Sequence, residues 1–266
     1  VVCTTTYHAI ASATMRDLVS SPLLSSQPVL DALFHRGVVV CEGDPDRSIY
    51  QTVAHRLPPQ ERGEEILFIH SNGKDALKTP IALLRLAGAP VCAIADFDTL
   101  NSELVLSGIL EALAVSDTRG TILESRSKID SSLQGRDEKQ VISDLIASTK
   151  EWLEHEHKDS RSARKALVAL ARPGSKWDVA KARGTAAFGD EEFARVSELV
   201  DALASVGLFI VPSGALESWL ALGMAKGHRW NRAALETLHR GDCPTDLHSF
   251  ISRVVQFLTE PTREVN

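Results

Sequence analysis

Five carboxylates follow stretches that have the composition of buried β-strands. Glu42 comes directly after 38–41, Val-Val-Val-Cys, three of them β-branched. Asp46 lies just past Gly43 and Pro45. Asp96 and Asp98 follow the apolar run 91–95, and Glu217 follows 207–211 across the turn Pro212-Ser213-Gly214. Parallel strands bring their C-terminal ends to one edge, so these acids can converge there. Asp96 and Asp98 are two apart, which on an extended segment puts both on one side. At about 4 Å and an effective dielectric near 20, each like-charged pair costs about 4 kcal/mol. Several such pairs rival a domain's whole stability of roughly 5–15 kcal/mol. Such a group must hold protons or a divalent cation. Oxygen-only ligands favour magnesium or manganese over zinc. Two ions about 3.5–4 Å apart suit phosphoryl hydrolysis. Taken singly, Asp46 reads as a turn residue or helix cap, and Glu217 as a first-turn helix acid favoured by the macrodipole.

The elements needed to position these acids alternate along the chain. Strand 38–41 leads to a helix over 47–57, stopped by Pro58-Pro59. Strand 66–69 leads through His70-Ser71-Asn72-Gly73-Lys74 to a helix over 78–86, closed by Gly88 and Pro90. Strand 91–95 precedes a helix over 103–113. This order predicts an α/β fold with right-handed crossovers and a parallel sheet. From 125 to 203 the chain is charged and helical in period (Val141, Leu145 and Ile146, Trp152 and Leu153), with no strand. Residues 207–211 return to the strand pattern, 215–224 read as a helix carrying Glu217, and the last forty residues read as helical. The boundaries expected are 1–29 for a remnant and linker, 30–124 for the first part of the sheet domain, 125–204 for a helical insertion, and 205–266 for its second part and C-terminal helices.

Among the 266 residues no run approaches a membrane span, and no secretory leader opens the chain. Cys3, Cys41, Cys92 and Cys243 are scattered without zinc spacing and read as reduced core residues of a cytoplasmic protein. A net charge of −6 argues against a broad basic nucleic-acid surface and leaves room for a local one, since a metal brings its own charge. The chain starts with Val, as a piece of a longer protein would.

The run Leu33-Phe34, then Val38-Val39-Val40-Cys41-Glu42-Gly43-Asp44-Pro45-Asp46-Arg47, resembles the opening motif of a Toprim domain, the catalytic module shared by topoisomerases, bacterial primases and OLD-family nucleases. Residues 91–98 resemble its Asp-x-Asp strand. The Asp46-Arg47 spacing and the run Phe209-Ile210-Val211-Pro212-Ser213-Gly214-Ala215-Leu216-Glu217-Ser218-Trp219 resemble the OLD version, in which the Toprim domain follows an ABC-type ATPase. The resemblance covers 30–98 and 206–236 and implies a Toprim-like Rossmannoid sheet with a helical insertion. It implies that Glu42, Asp46, Asp96, Asp98 and Glu217 bind Mg2+ or Mn2+, two ions in all, and that Glu42 and Asp96 are catalytic. It also implies a basic residue steadying the scissile phosphate, Lys226 or in its place Arg229. DNA is the implied substrate, with no membrane partner and an oligomeric state left open. Residues 1–8 resemble the last ATPase strand and its histidine loop, with Thr6-Tyr7-His8 where the family has Thr-His-Ser. No phosphate-binding Gly-x-x-x-x-Gly-Lys-Ser/Thr occurs; Gly73-Lys74 lacks the first glycine and the hydroxyl, so the expectation is a fragment without its ATPase.

Two other functions compete. One is a non-catalytic Toprim module that binds nucleic acid or a partner. The other is a haloacid-dehalogenase-like phosphatase, since Asp96-Phe97-Asp98-Thr99 and Gly241-Asp242 with Asp246 resemble two of that family's motifs, although 235–240 read as helix where a strand is needed. His155 and His157 read as a solvated face or a metal pair, and Lys176, Lys181 and Arg183 as a basic surface or a phosphate contact. Tyr50, the only tyrosine near the acids, reads as core rather than as a topoisomerase nucleophile.

Overall fold

The computed structural model describes residues 31–59, 61–62, 65–134, 146, 149–150, 176–220, 222–224 and 227–259. The expected ATPase remnant over 1–29, the pair His155 and His157, and Lys226 lie outside the described residues.

Among the described residues, four strands form one all-parallel sheet: β1 (Gly37–Cys41), β2 (Ile66–His70), β3 (Val91–Ala95) and β4 (Leu208–Ile210), in the order β2-β1-β3-β4. Helix α1 (Asp44–Ala54) joins β1 to β2, and α2 (Lys78–Leu86) joins β2 to β3. Because β2 and β3 flank β1, the winding reverses between β1 and β3. That crevice is where open α/β sheets bind their ligands. Beyond β3 come α3 (Glu103–Ala112), α4 (Arg119–Gln134), α5 (Lys176–Arg183) and α6 (Asp190–Ser205). After β4 come α7 (His228–Arg240) and α8 (Thr245–Thr259). The α/β class and parallel sheet read from the sequence are those of the structure.

The strand runs are apolar throughout because both faces are covered. Val39, Cys41, Cys92, Ile94 and Phe209 point into one layer with Tyr50, Trp230 and Phe250 from α1, α7 and α8. Val38, Val40, Ala93, Ala95 and Leu208 point into the other, with Ile81, Leu106, Ile129, Trp177 and Leu199 from α2 to α6. Thus α5 and α6, from the stretch read as an insertion, share a core with the central strands.

Some boundaries move. Helix α1 starts at Asp44 rather than at 47: Gly43 is extended as its N-cap and Pro45 falls in the first turn, where a missing N–H costs nothing, so Pro45 starts the helix. The helix expected over 215–224 is replaced by a 3-10 turn, Leu216–Ser218. Gly214 at φ 109° and an extended Ala215 set the chain's direction there, and Trp219 and Leu220 are pulled into the core. Among the described residues no helix is long and apolar enough to cross a membrane.

Candidate metal and nucleic-acid site

β1 ends at Cys41, so Glu42 is the first residue past the sheet edge. Its Oε1 crosses the crevice between β1 and β3 to accept the Asp96 N–H at 2.9 Å and the Thr99 hydroxyl at 3.3 Å. Burial raises the Glu42 carboxyl above the ordinary range, and Asp98 and Asp46 push it further; the two donated hydrogen bonds act the other way. Asp46, in the first turn of α1, is buried, and its carboxylate folds back toward Gly43. A Cβ at position 43 would stand 2.9 Å from Asp46 Oδ2, so glycine provides the room. The same charge bears on Cys41 and Tyr50, whose acidities are suppressed first by burial and then by Asp46. Tyr50 is buried against Phe250 at 6.2 Å, the core role its position suggested.

Asp96 and Asp98 do not share an extended strand. β3 stops at Ala95, Asp96 is the extended cap of a 3-10 turn (Phe97–Asn101), and Asp98 lies inside that turn. The turn still brings both to the rim, because Phe97 between them is buried in the core with Trp177 and Phe188. Asp98 Oδ2 accepts from Lys181 Nζ at 2.7 Å and from Lys74 Nζ at 3.0 Å. Asp98 Oδ1 is buried with no hydrogen-bond partner. Burial alone would raise this carboxyl, but the two ammonium groups outweigh it and hold Asp98 below the usual aspartate range. Lys181 is held above the usual lysine range by its bond to Asp98, with Asp96 and Glu42 adding to the field. Glu42, Asp46, Asp96 and Asp98 therefore share one electrostatic neighbourhood.

Glu217 arrives from the far edge. Its turn is tied to the acid rim by the Phe97 N–H donating to Gly214 O at 2.8 Å and by Val211 N–H donating to Ala95 O at 2.9 Å. A third segment closes on the same point: Thr185 N–H donates to Pro212 O at 2.9 Å. A Cβ at Gly184 (φ 58°) would strike the Pro212 carbonyl, and one at Gly214 (φ 109°) the Lys181 carbonyl. Two glycines thus let the end of α5 approach the β4 loop closely enough to deliver Lys181 to Asp98. Arg126, buried on α4, braces the other side. It donates to Leu100 O at 2.9 Å and Asn101 O at 2.8 Å, and lies 5.8 Å over the Trp177 ring.

The donor set is carboxylate oxygen throughout, which favours Mg2+ or Mn2+, and Asp98 Oδ1 is a buried acceptor with no hydrogen-bond partner among the described residues. Among the described residues, however, no three His, Cys, Asp or Glu side chains are gathered closely enough to hold an ion as they stand. Two lysines occupy the position of positive charge instead. Arg229, the alternative phosphate ligand, is an exposed residue in the first turn of α7. In the sequence Thr99 figures only within the phosphatase-like motif, and Lys74 only as the lysine after Gly73 that fails the phosphate-loop pattern. Lys181 reads there as part of a basic surface or a phosphate contact, with no acid partner indicated. The second phosphatase motif is a helix end: Gly241 at φ 99° caps α7, its N–H donating to Leu238 O, and Asp242 pairs with Arg240 at 3.6 Å. Cys41 and Cys92 are buried free thiols.

Residues 33–98 match the family model described as Overcoming lysogenization defect protein-like, TOPRIM domain. The match spans β1 to the Asp96–Asp98 turn; Lys181 and Glu217 lie beyond it. No curated protein and no solved structure matched the chain.

Proposed function

Starting from residues 33–98 as a Toprim domain of the OLD-family type, we propose that this chain is a divalent-metal-dependent nuclease domain that hydrolyses DNA phosphodiester bonds. The supporting observation is the Glu42–Asp96 link across the point where the sheet reverses its winding, with Asp46 and Asp98 in the same field. Glu42, Asp46, Asp96, Asp98 and Glu217 would hold Mg2+ or Mn2+, one ion or two. Bound ions supply Lewis acidity to the phosphodiester and to the attacking water.

The chain's own groups do the positioning. The Asp96 N–H and Thr99 hydroxyl fix the Glu42 carboxylate at the crevice. Lys74 and Lys181 keep Asp98 ionised in the metal-free protein. Lys226, or Arg229, is the proposed partner of the scissile phosphate, stabilising charge that builds up in the transition state. Coupling to a preceding ABC-type ATPase belongs to the same reading and rests on the resemblance of residues 1–8. The test is cleavage of supercoiled plasmid with Mn2+ or Mg2+. Asp96→Ala is expected to lower the rate by about 100-fold or more; cleavage that survives this change overturns the assignment.

A second reading, a non-catalytic module that binds nucleic acid or a partner, is favoured by one observation: Asp98 already carries two ammonium partners. Calorimetric titration with millimolar Mn2+ separates the two, and absence of heat selects the module.

A further inference from the structure

Lys181 and Lys74 share Asp98 Oδ2 but are held differently. Lys74 also donates to the Asp98 backbone carbonyl at 3.3 Å, and its side chain is 28% exposed. Lys181 has the shorter contact, 2.7 Å, no second hydrogen bond among the described residues, and a side chain 51% exposed. It is anchored at its backbone, where Gly184 and Gly214 fix the end of α5 against the β4 loop, while its side chain is half exposed to solvent. A long ammonium side chain with one polar contact and open solvent beside it can leave without unfolding anything. It sits where positive charge is required, next to the buried and unpartnered Asp98 Oδ1.

We propose that Lys181 is a displaceable resident cation: it neutralises Asp98 in the metal-free protein and turns to a backbone phosphate of the nucleic acid when Asp98 takes a divalent ion. This rests on the metal-dependent nuclease reading. Lys74, tied to the same turn by two contacts, stays in place as its structural counterpart. The consequence is that metal occupancy and phosphate binding are coupled. Without metal, Lys181 is occupied by Asp98 and unavailable to DNA; with metal, one more cationic group faces the strand, and a net gain in DNA affinity follows.

The test uses two readouts that need no cleavage. Mn2+ binding is measured by calorimetry on the wild type, Lys181→Met and Lys181→Arg. DNA binding is measured by fluorescence anisotropy on a labelled duplex, with and without Ca2+, over a series of salt concentrations. Lys181→Met is expected to bind Mn2+ several-fold more tightly, because the competing ammonium is gone. It should also lose the Ca2+-dependent gain in DNA affinity, with the log–log salt slope falling by about one. Lys181→Arg, which keeps the charge, should behave like the wild type in both. Mn2+ affinity in Lys181→Met equal to or weaker than wild type overturns the proposal, as does tighter Mn2+ binding with DNA affinity unchanged. Wild-type protein that takes no Mn2+ at all removes the nuclease reading itself, a distinguishable failure. Thermal unfolding of each variant confirms that it is folded.

Discussion

Lys181 Nζ lies 2.7 Å from Asp98 Oδ2, so a residue from the charged helical stretch reaches an acid 83 positions earlier in the chain. The contact joins α5 to the turn after β3 and, together with the Lys74 ammonium, it accounts for the lowered pKa of a carboxyl that burial alone would raise.

This relationship fixes a pH dependence. The folded Asp98 carboxyl is more acidic than in the unfolded chain, so its stabilisation is complete above the unfolded value of about 3.9 and is lost as pH falls through the lower folded value. Asp98→Asn is therefore expected to unfold at a lower temperature than the wild type near pH 6, and the difference should close below about pH 4. Calorimetric scans between pH 3 and 7 check this; a gap that widens on acidification contradicts it.

Glu42 has the opposite sign. Burial, Asp98 and Asp46 raise its carboxyl, so ionisation opposes folding as pH rises through the folded value. Glu42→Gln keeps an acceptor for the Asp96 N–H and removes the charge. The expected outcome is a gain of about 1 kcal/mol at pH 7.5, or ~2–4 °C in Tm, together with loss of metal-dependent cleavage. A stabilised, inactive variant would show that the site is maintained against the stability of the fold.

The glycine junction gives a third expectation. Gly214 combines φ 109° with a Cβ position that the Lys181 carbonyl would block. Gly214→Ala should cost about 2–4 kcal/mol, on the order of 5–15 °C in Tm. Gly120→Ala, on the open surface of α4 with nothing near its Cβ position, should be neutral or slightly stabilising. Thermal unfolding of the pair measures the cost of the close approach.

The phosphatase alternative predicts that Asp242 is essential. In the structure it pairs with Arg240 at an exposed helix end. Asp242→Asn should leave plasmid cleavage within about twofold and stability within about 0.5 kcal/mol. Turnover of a generic phosphomonoester that is lost in Asp242→Asn would reinstate that alternative.

The sequence by itself determined the elements whose hydrophobic pattern is local. β1, β3 and α2 lie where their apolar runs and breakers put them, because a strand buried on both faces needs an uninterrupted apolar run. It also determined which residue types reach the rim, since an acid placed just after a buried strand in a parallel sheet has one edge to go to. Only the tertiary structure decided how those acids are held. Thr99 caps Glu42 because β3 gives way to a 3-10 turn, and Glu217 rides a turn rather than a helix because Gly214 and the burial of Trp219 set the chain's path. The pairing of Lys181 with Asp98 has no local signature. It depends on Trp177 and Ala180 entering the sheet's core and on two distant glycines allowing backbones to touch, and contacts between segments far apart in the chain leave no periodicity to read.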